Sequence, residues 1–269
     1  MRLIAVLALL LVACTTPSSQ TTLRVPGDPA TAVEVVDGDT LVVDVDGVEE
    51  SVRLIGINAP ERDECGYAEA SGRLEQLIGG GQVSLVEDIS DRDDFGRLLR
   101  YVLVDADDVG ERLVAEGLAV ARAYPPDTDR ADTYDAAEDA AKSAGLGLWA
   151  ANPCGAADAP LRLAGIEPNA PGDDAANPNG EWVEVQNTSD VVVSLDGWGL
   201  KDESARHRYT FPPGAEIGPG DVVRVRSGCG TDTGATFHWC ADGAVWTNSG
   251  DTAFLIDPGG GVAGRLSYP

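Results

Sequence analysis

Lysine is almost missing from this 269-residue chain. Lys142 and Lys201 are the only two, and Lys and Arg together number 19 against 45 Asp and Glu. The formal net charge is −26 and the pI near 4.1. A surface of that sign repels polyanions at low salt, so indiscriminate adhesion to nucleic acid is excluded. It suits saline surroundings, a demand for cations, or a plain composition bias. Beyond the first dozen residues no apolar run is long enough to cross a bilayer, and no short-period repeat occurs, which sets aside solenoids. No CxxC unit is present, so a zinc site around Cys229, His238 and Cys240 is disfavoured against a disulfide.

What is present begins with an export signal over residues 1–13. Arg2 supplies the positive start, Leu3 to Val12 the short apolar run, and Leu11-Val12-Ala13-Cys14 resembles a bacterial lipobox with Cys14 as the lipidated residue. The expectation is an envelope lipoprotein on the extracytoplasmic face, or a secreted protein, touching membrane through that lipid alone. Residues 14–30 read as a polar tether. Four further cysteines fit an oxidising compartment, and pairing within each half of the chain favours Cys65–Cys154 and Cys229–Cys240.

With 43% hydrophobic residues each half can bury a core, and this length suits two domains. A Pro/Ala/Gly stretch over 152–160 divides domains at 31–151 and 161–269. In the first, Thr31–Val36 and Thr40–Asp46 flank Asp37-Gly38-Asp39, a tight-turn signal, and so read as a hairpin. Glu50–Ile57, Val83–Val86 and Arg97–Val104 are further strands. Tyr67–Ile78, Val109–Glu116 and Thr128–Ala144 carry helical spacing, and the outer two stop at glycine. Five short strands with interposed helices are compatible with an α+β OB-type barrel, though the pattern alone does not choose it over another α+β fold. The second half alternates in short strands between Gly/Pro/Asn turns, the pattern of an all-β sandwich. Trp182, Trp198 and Trp246 are expected in its core and His207 on a surface strand; no catalytic constellation is visible there.

Three clusters in the first half carry chemistry: Asp37-Gly38-Asp39-Thr40, Arg53 through Glu61 (RLIGINAPE), and Asp94-Phe95-Gly96-Arg97. Singly they are a turn, a helix start and a solvated arginine. Together they supply what phosphodiester hydrolysis requires. Asp39 and Asn58 offer oxygen ligands to a hard cation. Glu61 is a general base. Arg53 and Arg97 form a forked clamp for phosphate.

VVDGDT, RLIGINAPE and FGR, in that order, resemble the staphylococcal nuclease family, and the likeness runs from about residue 31 to 149. That resemblance implies an OB-type barrel cleaving DNA or RNA with calcium. It implies Asp39, Asn58 and the Ala59 carbonyl as metal ligands, with Asp37 supporting them from behind. Arg53 and Arg97 would bind phosphate, Glu61 would act as base, and Tyr124 would contact substrate. Two positions depart from the family: Asn58 replaces an aspartate, and Arg122 stands where the staphylococcal enzyme has tyrosine, so a guanidinium plane would do the stacking. Arg53, Arg62, Arg97, Arg100 and Arg122 are expected around the site. The second half (GEWVEVQNTSD, LDGWGLKDE, HRYTFPPG, NSGDTAFLID) resembles a lamin tail domain, which implies an all-β immunoglobulin-like sandwich.

The expected protein is thus a monomeric, lipid-anchored, calcium-dependent endonuclease acting on extracellular DNA or RNA. The alternative is a catalytically weak or inactive anion-binding envelope protein whose sandwich mediates adhesion or docking.

Overall fold

The computed structural model describes residues 26–268 apart from 63, 152, 154–158, 173–175 and 249. The export segment, Cys14 and Cys154 lie outside the described residues.

The first domain is a closed barrel. β1 (Asp28–Val35) pairs antiparallel with both β2 (Thr40–Val45) and β5 (Gln82–Val86). β2 pairs with β3 (Val48–Leu54), and β5 with β6 (Leu98–Val104). A parallel β3–β6 pairing joins the two ends, so these five strands expose no open edge pair. The expected tether gives way early, since residues 28–30 already belong to β1. The expected strand Glu50–Ile57 is broken. Gly56 takes φ 79°, and a Cβ there would lie 2.7 Å from the Tyr134 ring, so the chain turns before β4 (Ile57–Asn58).

Helix α1 (Tyr67–Ile78) matches its expected span, buries Ala70, Leu74 and Ile78, and ends on left-handed Gly79. After the short β7 (Asp107–Asp108), α2 (Val109–Ala115) is capped by the Asp108 carboxylate, which accepts from Gly110 and Glu111 N–H. β8 (Val120–Ala121) pairs with β4. Helix α3 (Ala131–Ala144) starts three residues later than its alanine-rich pattern suggests. Asp127 is held outside it, accepting the Ile89 and Ser90 N–H groups.

The second domain stacks two four-stranded sheets. One runs β16 (Thr236–His238), β15 (Val222–Arg226), β10 (Trp182–Asn187), β9 (Leu161–Glu167); the other runs β13 (Arg208–Thr210), β12 (Gly199–Lys201), β17 (Asp251–Ile256), β18 (Val262–Tyr268). The small pair β11 (Val193–Ser194) and β14 (Glu216–Ile217) accompanies them. Trp198 and Trp246 fill the core with Phe211 and Phe237. Trp182 does not: alternation along β10 turns Val183 and Val185 inward and leaves Trp182 half-buried beneath the Arg224 guanidinium, 4.0 Å from its ring centre. His207 lies just before β13, partly buried, with Nδ1 2.7 Å from the Asp202 carboxylate. Cys229 and Cys240 form a disulfide. Cys65 is also disulfide-bonded.

The two domains share a third core, where Phe254, Ile256 and Val262 meet Val120, Ala141, Leu148 and Trp149. The Arg265 guanidinium donates to the backbone carbonyls of Leu148, Trp149 and Ala150 at the end of a 3₁₀ turn. The Glu64 carboxylate is held by Lys201 Nζ and Arg208 Nε, each at 2.5 Å. Burial would raise that carboxyl, but the two cations pull it below the ordinary value.

Glu203, also at this junction, behaves in the opposite sense. Burial first, then the neighbouring Glu138 and Asp251 carboxylates, push its pKa up to about 8. A carboxyl whose folded pKa exceeds its unfolded value favours the fold fully below the unfolded pKa, and loses that contribution as pH rises through the folded one. Glu203→Gln is therefore expected to melt close to the wild type near pH 5, progressively above it up to about pH 8, and by a constant margin from there to pH 9. Thermal unfolding across that range measures the divergence; parallel profiles would contradict it.

Candidate active site

The site forms where three turns meet on the barrel. The β1–β2 hairpin tip brings Asp39 inward because residue 38 is glycine: a Cβ there would lie 2.6 Å from Ala59 Cβ and 2.7 Å from Ala70 Cβ. Asp39 is buried; its Oδ2 accepts the Ala59 N–H at 2.8 Å and pairs with Arg53 Nη2 at 3.0 Å. Asp37 Oδ1 in turn accepts the Asp39 N–H at 3.1 Å. Burial, with Asp37 adding to it and Arg53 opposing it, raises the Asp39 carboxyl above its usual range.

Arg53, on β3, is wrapped by the turn at Gly56. Its guanidinium donates to the carbonyls of Leu54 and Ile57 at 2.6 and 3.0 Å and to Asn58 Oδ1 at 3.3 Å. Arg97 follows left-handed Gly96 and donates to Asp93 Oδ2 at 2.7 Å and to Thr40 Oγ1 at 3.5 Å. Glu61 is exposed, and its carboxyl is raised by partial burial, then by Asp39 and Asp37. Its N–H donates to Glu64 Oε2 at 3.1 Å, the carboxylate that the second domain grips.

Arg53, Glu61, Arg97 and Tyr124 line one cleft of about 630 Å³, together with Phe95, Asp93, Asp94 and Asp127. Asp39 sits directly behind Arg53. An arginine fork, a second arginine and a carboxylate with a raised pKa facing one space are suited to binding an anion and removing a proton beside it.

Other expected participants are drawn elsewhere. Arg122 does not line the cleft; it faces the second domain, with Nη1 3.5 Å from buried Asp251. Arg100 is buried in the barrel wall, donating to Asp91 and to the Asp91 and Leu99 carbonyls, and is spent there. Arg62 is exposed outside the cleft lining. Asn58 is buried, and its Nδ2 donates to the Glu203 carbonyl across the domain boundary at 3.1 Å.

Three cleft residues had no role in the sequence reading. Phe95, 82% exposed, presents a ring 5.6 Å from Arg97 Cζ; an aromatic inside an Asp-Asp-Phe-Gly turn has no core to fill, which was the available signal. Arg206 and Ala205 enter from the second domain, and nothing local in sequence points to that.

A closed OB-type barrel carrying this arginine–carboxylate cleft defines the class. Residues 51–151 match the staphylococcal nuclease homologue family and residues 156–269 the Lamin Tail Domain. The chain belongs to the staphylococcal nuclease homologue family, with a lamin tail domain following. The family match begins inside β3, while β1 and β2 complete the same barrel.

Among its relatives, the thermonuclease of Staphylococcus intermedius is 31% identical over 49% of this chain and 83% of its own. The SPbeta prophage-derived endonuclease YokF of Bacillus subtilis (strain 168) is 42% identical over 44% of this chain and 42% of its own. Endonuclease YncB of the same organism is 40% identical over 42% of this chain and 58% of its own. The aligned region thus spans about half the length of those two endonucleases.

The Asn58–Glu203 bond generates a prediction. Asp at position 58 would turn a carboxylate onto the Glu203 carbonyl, and leaving that buried acceptor unpaired costs about 1–3 kcal/mol. Asn58→Asp should therefore melt below the wild type, which calorimetry in chelator measures. A variant as stable as wild type in chelator would remove the docking role.

Proposed function

We propose that this protein is an exported phosphodiesterase, lipid-anchored at Cys14, that hydrolyses extracellular DNA or RNA as an endonuclease. The observation carrying this reading is the convergence of Arg53, Glu61 and Arg97 on one cleft, with Asp39 behind them. Arg53 and Arg97 would grip the non-bridging phosphate oxygens by forked, charge-assisted bonds and stabilise charge developing on phosphorus. Glu61 would take the proton from the attacking water; its raised carboxyl makes it a stronger base than a free glutamate. Phe95 and Tyr124, both exposed in the cleft lining, would offer ring faces to bases.

The cleft's own charges do not sum to a positive field. Asp93, Asp94, Asp127 and Glu61 share its lining with the arginines. A cation is what such a site requires. The donor chemistry fits calcium: the Asp39 carboxylate, the Asn58 amide oxygen and the Ala59 carbonyl are all hard oxygens, with Asp37 beside them. Among the described residues no group of three or more His, Cys, Asp or Glu is arranged to hold a metal, so the backbone and the amide must complete the set. When bound, calcium would neutralise phosphate charge. Burial raises the Asp39 carboxyl, with Arg53 opposing it and Asp37 adding to it, and a bound cation would lower it again.

Purified protein should degrade DNA or RNA with calcium and lose activity in chelator. Glu61→Gln should lower turnover by about 10²–10⁴-fold with substrate binding kept, the signature of a lost general base. Unchanged turnover in that variant would sink the mechanism. The Asn58 amide, committed to the second domain, favours a second reading: a non-catalytic anion-binding envelope protein. Calcium titration separates the two, since failure to bind at millimolar concentration supports the latter.

A further inference from the structure

We propose that Arg206, carried by the lamin tail domain, is a phosphate-binding residue of the nuclease cleft. The inference rests on the phosphodiesterase reading above and assigns one of its substrate contacts to the other domain. Arg206 and Ala205 form part of the same cleft lining as Arg53, Glu61 and Arg97.

Charge commitment sets Arg206 apart. Arg53 is half-buried and already paired with Asp39. Arg97 is paired with Asp93. Arg206 is exposed, and among the described residues its guanidinium has no carboxylate, carbonyl or ring partner. It is the cleft arginine whose five donors remain available to an incoming phosphodiester without first breaking an ion pair.

The loop that carries it is built rather than loose. Fully buried Asp202 accepts the Ser204 N–H and hydroxyl at 2.8 and 2.7 Å through Oδ1 and faces His207 Nδ1 through Oδ2. Ser204 Oγ accepts the Arg206 and His207 N–H groups at 3.3 Å each. Arg208 donates to the Ser204 carbonyl at 2.5 Å while its Nε holds Glu64. On the preceding side the Glu203 carbonyl is bonded to Asn58. The base of Arg206 is therefore fixed relative to Asn58 and Glu64, whose neighbours belong to the reacting centre. Such fixing lowers the ordering cost of a phosphate contact.

The test uses the full mature chain and a single-stranded DNA oligonucleotide. Arg206→Ala should raise KM about tenfold, the size of one lost charge-assisted bond, with kcat within about twofold. The slope of log KM against log salt should fall by about one. Arg206→Lys should restore the salt slope but only part of KM, since the charge returns without the fork. Arg162→Ala, on β9, is the control for net charge and should match wild type.

An arm without turnover keeps the two readings separable. The oligonucleotide is titrated by fluorescence anisotropy into Glu61→Gln protein with and without Arg206→Ala. Binding weakened about tenfold supports the proposal even if hydrolysis is absent. Binding that matches the Arg162 control overturns it even if hydrolysis is intact. No binding by either protein overturns both readings.

Discussion

The guanidinium of Arg53 is the point on which the site depends. Its side chain is 13% exposed, and it joins three segments: the hairpin through Asp39, the Gly56 turn through the two carbonyls that flank it, and β4 through Asn58. The Asp39 carboxylate is buried beside Asp37 and would otherwise stand uncompensated. Removing one partner of such a pair costs about 3–5 kcal/mol, because the remaining charge stays buried. Arg53 is thus structural before it is chemical. The group proposed to clamp phosphate is oriented in advance, which is how charged groups contribute to catalysis without reorganising.

The chain of bonds continues past Asn58 into the second domain, and the two lysines of the chain are found there. Lys201 grips Glu64. Lys142 lies 2.6 Å from Glu138, 3.7 Å from Glu203 and 4.5 Å from the Trp149 ring centre. In a protein of net charge −26, cations are scarce, and both of its ammonium groups are placed where buried carboxylates meet at the domain junction. A flexible linker with two independent domains would not need them there. Loss of the grip on Glu64 would also free the backbone that carries Glu61, since that N–H is bonded to the same carboxylate. The junction therefore bears on the site as well as on stability.

Much of this was legible in the sequence where local rules suffice. Helix α1 was readable to the residue because its apolar spacing and terminal glycine are local signals. The hairpin, the barrel strands and the Arg53, Glu61 and Arg97 grouping followed from turn chemistry and the resemblance those motifs carry. Where the reading failed, contacts distant in sequence decided. Gly56 breaks a strand because Tyr134 packs against it. Trp182 leaves the core because β10 alternates the other way. Arg122 and Arg100 were expected near substrate, but each is committed to a carboxylate that sequence order does not place beside it. Arg206 could not be found from sequence, since its position depends on how one domain sits on the other.

Asn58 shows why the two domains must be considered together. On the calcium reading, and within the barrel alone, an amide at this position is a weaker ligand than a carboxylate and counts against catalysis. The docked domain changes the balance. A carboxylate at this position would face the Glu203 carbonyl and lie close to Asp39, adding a second buried negative charge to a carboxyl already raised by burial. The amide donates to the carbonyl with one end and offers oxygen toward Arg53 with the other, so neither end is left unpaired. The same bond fixes the loop that brings Arg206 to the cleft. On the reading proposed above, a charge removed from the cation site is exchanged for a positive charge at the substrate's edge. In a chain this acidic, that exchange favours a polyanion where a further carboxylate would repel it.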